Sequence, residues 1–135
     1  MASNESVQFV NPPTLPPSRG YTQVVIVPAG RTIHISGQVA LDTSGAIVGQ
    51  GDFRAQARQV FENLKAALEA GGASFANVVK ITIFVLDMAN LPALREIRDE
   101  FVNTERPPAS TAVQVSRLAR EEFLLEIEAV AVLPG

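Results

Sequence analysis

The chain has 135 residues with a formal net charge of −3 and hydrophobic residues making up 47%, which sets one globular domain over 1–135 and argues against disorder. It contains no cysteine and one histidine, His34, so disulfides, thiol nucleophiles and multi-histidine or cysteine metal sites are excluded. No Lys/Arg cluster marks a nucleic-acid face, and no apolar run approaches the roughly 20 residues of a membrane span.

Residues 1–6 carry no signal-peptide pattern and are expected to be a flexible lead-in; lack of cysteine fits a reducing, cytoplasmic setting. A short strand is predicted over 7–10. Residues 11–17 hold four prolines and must be extended loop. β-Branched runs at 22–27 and 31–36, separated by Pro28-Ala29-Gly30, predict a hairpin. Residues 42–51 form a loop turning at Gly45. The clearest helix spans 52–70: Asp52 is an N-cap, Phe53, Ala57, Val60, Phe61, Leu64 and Leu68 make one stripe, and Gly71-Gly72 ends it. Residues 78–86 form the strongest strand, with Val79, Ile81, Ile83 and Val85 on one face and Val78, Lys80, Thr82, Phe84 and Leu86 on the other. A second helix is predicted over 90–104, with Asn90 as cap and Pro92 in its first turn.

Pro107 and Pro108 stop that helix, because proline lacks an amide hydrogen and biases its predecessor away from the α region. Residues 110–116 then alternate as a strand, and 125–132 alternate again. On the last strand Glu126 and Glu128 share a face, where like charges repel unless paired or solvated. They mark either a wet strand face or a pocket that holds a carboxylate. The order β-β-β-α-β-α-β-β predicts an α+β domain, a six-stranded mixed sheet with two helices on one face. The strand at 78–86 is apolar on both faces, which predicts an oligomer that buries the second one.

Five stretches, in order and spacing, carry a resemblance. They are Gly20-Tyr21-Thr22-Gln23, Ile35-Ser36-Gly37-Gln38, Ala57 through Leu64, Pro107-Pro108-Ala109-Ser110-Thr111 and Glu126-Ile127-Glu128-Ala129-Val130-Ala131. Together they resemble the Rid/YjgF family of small imine and enamine deaminases, over about 9–132. The resemblance implies a homotrimer with a central barrel-like core, ligand pockets in the clefts between subunits, and no cofactor or metal. It implies that Tyr21, Ser36 and Gly37 line the pocket. It also implies that Glu126, reached through a one-residue insertion in 117–122, positions the water that attacks the imine carbon.

At Ser110 the chain departs from the family, where an arginine clamps the carboxylate of a 2-imino acid. A guanidinium is a planar, permanently charged, bidentate partner for a carboxylate, whereas a hydroxyl offers one neutral donor. A standard 2-imino acid is therefore not the expected substrate. Arg19, Arg95, Arg98 and Arg106 each read alone as solvated surface arginines. Arg106, four residues before Ser110, is placed at the cleft rim as a candidate binding residue. Three activities follow in order: a small-molecule C=N hydrolase, a non-catalytic binding or regulatory trimer, and an endoribonuclease. The last lacks a basic stripe, a stacking platform and a histidine pair.

Overall fold

The structure, a computed structural model, describes residues 6–134, so the lead-in expected at 1–6 lies outside it except for Ser6. The elements follow in the expected order: β1 (Gln8–Val10), β2 (Val24–Ile26), β3 (Arg31–Gln38), α1 (Phe53–Ala70), β4 (Val78–Val85), α2 (Leu91–Arg98), β5 (Ala109–Gln114) and β6 (Leu125–Leu133). The six strands make two sheets rather than one. Four of them are ordered β3-β6-β4-β5, and β1 and β2 form a separate ribbon. Only β4 and β5 run parallel.

The hairpin expected between β2 and β3 does not form. β2 pairs with β1, Gln8 opposite Ile26, while β3 pairs with β6, Arg31 opposite Leu133. Gly30 causes the change of sheet. Its φ of 132° suits glycine, and a Cβ there would strike the Leu133 carbonyl oxygen and the Val132 side chain. The chain thus enters β3 through Gly30, pressed against the end of β6.

Helix α1 starts where Asp52 accepts a hydrogen bond from the Ala55 amide at 3.1 Å. It buries Ala57, Val60, Phe61, Leu64 and Leu68 against Ile81, Ile83, Leu125 and Ile127. Gln56 is also fully buried, and its partners explain why. Its amide donates to the Glu122 carbonyl at 2.8 Å and its oxygen accepts from the Leu124 amide at 2.9 Å. A buried polar side chain needs such partners. These two bonds fix the chain just ahead of β6.

Helix α2 is shorter than the 90–104 predicted. Asn90 makes no side-chain cap; Asp87 instead accepts from the Ala89 amide at 2.9 Å and starts a single 3-10 turn, Met88–Asn90, that feeds the helix. After Arg98 the α-ladder gives way to tighter turns, with the Phe101 amide donating to the Arg98 carbonyl at 2.9 Å. Phe101 reaches the aromatic cluster there, with ring centroids 5.2 Å from Phe61 and 5.6 Å from Phe75. Phe61→Ala, at a fully buried position, is expected to destabilise the fold by about 3–5 kcal/mol. Urea unfolding should show this as a lower midpoint at unchanged slope.

The two faces of β4 also differ from the expected alternation. A register shift between Val78 and Lys80 sends Val78 to the helix side and Val79 to the other, because a bulge sets two residues against one. Val79 packs there with Val7 and Val132, beside Phe9 and Val25. The ribbon thus covers part of the second sheet face. Val113, 38% exposed, and Ile26, 45% exposed, stay open to solvent.

Candidate functional site

Parallel pairing sets Ser110 beside Ile81 and Ala112 beside Ile83, so Ser110 lies on the sheet face that carries the helices. The loop bearing Tyr21 is tied to the same place. The Thr22 amide donates to the Pro108 carbonyl at 3.2 Å, and the Thr22 hydroxyl donates to the Pro107 carbonyl. Two stretches far apart in sequence, Gly20-Tyr21-Thr22 and Pro107 to Ser110, are thereby joined. Between them and α2 lies a cavity of about 270 Å³ lined by Tyr21, Ser110, Arg19, Arg95 and Arg98, with Ile83 and Leu94 among its apolar walls.

Arg98 is buried, only 7% exposed. A buried charge requires a partner, and Asp99 supplies one. Asp99 Oδ1 accepts from Arg98 Nε at 3.0 Å and lies 2.9 Å from Nη2. The guanidinium rests on Gly20, where a Cβ would come within 2.7 Å of Nη2. Gly20 also has φ +77°, a conformation that favours glycine, and a side chain there would push the Arg98 guanidinium aside.

Glu126 lies on the other side of the sheet. β6 places it opposite Phe84, and Glu128 opposite Thr82, both away from the helices. Its carboxylate sits on Gly37, where a Cβ would collide with Oε2. An irregularity between Ile35 and Gln38 takes Ser36 and Gly37 out of the β3–β6 ladder at this point. Ser36 is exposed, and its carbonyl accepts from the Gln38 side-chain amide at 3.0 Å. His34, opposite Val130, is exposed on a strand.

The residues expected to form one pocket therefore fall into two groups in a single chain. Tyr21 and Ser110 share the helix-side cavity; Gly37 and Glu126 meet across the sheet from it. Arg106 joins neither group. Its Nη2 donates to the Val7 carbonyl at 3.0 Å and its guanidinium lies 4.5 Å from the centre of the Phe9 ring, so it holds β1 instead of lining the cavity. The arginines that do line it are Arg19, Arg95 and Arg98. A sequence signal for the last two existed in their i, i+3 spacing, which places both on neighbouring parts of one helix surface.

The family model described as Endoribonuclease L-PSP matches residues 13–133. Protein DfrA of Myxococcus xanthus is 44% identical over 112 residues, 83% of this chain and 84% of that protein. A 2-iminobutanoate/2-iminopropanoate deaminase of Dermatophagoides farinae is 34% identical over 127 residues, 93% of this chain and 96% of its own. Among solved structures, the Rid-family protein YyfB of Yersinia pestis superposes with a TM-score of 0.85 at 40% identity, covering 94% of this chain and 98% of that one.

Proposed function

The chain belongs to the endoribonuclease L-PSP family, the Rid/YjgF proteins, and from that premise we propose that it hydrolyses imines and enamines in a cleft shared by two copies of itself. One observation carries the reading. Glu126, seated on Gly37, and the cavity of Tyr21 and Ser110 face opposite sides of one sheet. A neighbouring copy that brings its Glu126 face against this cavity completes a site that one chain leaves divided. The apolar surface left on the second face, Val113 among it, is the surface such a neighbour covers. A closed ring of three copies satisfies this head-to-tail contact.

The chemistry then needs few groups. The substrate C=N carbon is the electrophile, and Glu126 takes a proton from a water molecule as the water oxygen bonds to that carbon. That proton passes to nitrogen to give a carbinolamine; its hydroxyl proton then moves to nitrogen as the C–N bond breaks, which releases ammonia and leaves a carbonyl compound. Tyr21 and Ser110 are hydrogen-bonding groups that orient the substrate, and holding both reactants in place supplies much of the acceleration. With serine at 110, the substrate's anchor differs from that of a simple 2-imino carboxylate.

Two measurements test this. Sedimentation velocity should give three times the chain mass; a monodisperse monomer at micromolar concentration would remove the shared cleft. A panel of imines generated by amino-acid oxidation should release ammonia faster with the protein than without it. No acceleration on any member, with the trimer intact, would leave a binding protein rather than an enzyme.

A further inference from the structure

We propose that Arg98, held by Asp99 and Gly20, is the principal anion anchor of the Tyr21–Ser110 cavity, and that Arg19 and Arg95 make this cavity selective for ligands with two acidic groups. The inference rests on the hydrolase reading for the reaction but not for the binding.

The argument begins with the donors of Arg98. A guanidinium has five N–H groups. Asp99 Oδ1 takes that of Nε and lies 2.9 Å from Nη2. Among the described residues, Nη1 has no protein partner, yet no inaccessible side-chain nitrogen lacks one. Nη1 thus makes no hydrogen bond to a described residue, and Arg98 is among the residues that line the cavity. Burial of the rest of the side chain matters for affinity. A guanidinium already desolvated and oriented loses little entropy on binding an anion, and its charge is less screened than on the surface. Asp99 orients the group while its own side chain, 47% exposed, is partly solvated. Gly20 leaves the space in which the guanidinium plane lies.

Charge sets the ligand class. Three arginines line the cavity and Asp99 offsets the charge of one of them. Arg19 and Arg95 are exposed and have no ion-pair partner among the described residues. Within one chain, a monocarboxylate at Arg98 leaves one of these two charges unmatched. A second acidic group, a few carbons from the first, meets it, while the carbons between lie along Ile83 and Leu94. The substrate class assigned is thus an imine carrying two carboxylates, anchored from α2 in place of β5.

Glutarate and butanoate serve as unreactive probes, titrated calorimetrically into the intact protein. Glutarate is expected to bind at least 10-fold more tightly, with an advantage that shrinks as salt rises. Arg98→Met should weaken glutarate by about 30-fold or more. Arg98→Lys keeps the charge without the planar fork and should fall between the two. Arg95→Gln, at an exposed position, should weaken glutarate by more than it weakens butanoate and so reduce the preference for glutarate. If Arg98→Met does not fold, the Arg98→Lys and Arg95→Gln results decide the matter. Equal binding of the two acids by the wild type, or wild-type glutarate affinity in both of those variants, overturns the proposal. Glutarate binding that depends on Arg98 in a protein with no imine turnover would sustain the anchor and remove the hydrolase reading alone.

Discussion

Glu126→Gln is expected to lower imine hydrolysis by about 10²- to 10⁴-fold, the range a positioned general base contributes, with thermal stability and assembly unchanged. The amide is nearly isosteric with the carboxylate but cannot take the proton of the attacking water. Its seat is preserved, since the space above Gly37 and the bonds from Gln56 to the 122–124 segment do not involve the charge. Ammonia release under substrate saturation is the measurement, with sedimentation and melting run beside it. Unchanged turnover would assign Glu126 to a half-solvated strand face and nothing more. Gly37→Ala gives a second view of the same point. Its methyl group must displace the carboxylate, so it should reduce activity with the carboxylate still present.

Much of the fold was legible because its signals are local. Asp52, the stripe from Ala57 to Leu68 and Gly71 define α1 within one contiguous segment. The division of the strands was not legible, because Gly30 reads as a hairpin turn in sequence and becomes a crossing only when Leu133 and Val132 stand beside it. The bulge that reverses Val78 and Val79 has the same character: it depends on β6, about fifty residues away. For the site, the resemblance named Tyr21, Ser110, Gly37 and Glu126, and the structure gathers them in pairs. It gave Arg98 no role. An arginine near a helix end looks solvated until Gly20 is found beneath it and Asp99 beside it. Arg106 is the converse case. Its closeness to Ser110 in sequence suggested the cleft, but the two intervening prolines keep the chain extended, and its side chain ends on Val7 and Phe9.

Wild-type protein is expected to be a poor catalyst for short 2-imino monocarboxylates, and Ser110→Arg to improve it. The residue at 110 faces the helix-side cavity from β5, so an arginine there adds a second clamp on the strand side, nearer the chain segment that carries Tyr21. A buried charge-assisted clamp is worth roughly 2–5 kcal/mol, or about 30- to 5,000-fold, and the gain should fall below that ceiling for two reasons. The new side chain lacks neighbours that orient it. It also enters a cavity that already holds Arg19, Arg95 and Arg98, and like charges at short range in a partly buried site repel. The second cost can be separated from the first. In the double variant Ser110→Arg with Arg98→Met, the repulsion falls and the α2 anchor is gone. Short monocarboxylate imines should then be hydrolysed faster than by Ser110→Arg alone, and imines with two carboxylates more slowly than by the wild type. The readout is kcat/KM for both classes in all three proteins, with sedimentation to exclude loss of assembly from overpacking. Robust wild-type hydrolysis of short imino acids, with no response to arginine at 110, would mean that Arg98 already serves a single carboxylate. Position 110 would then have no part in setting the substrate class.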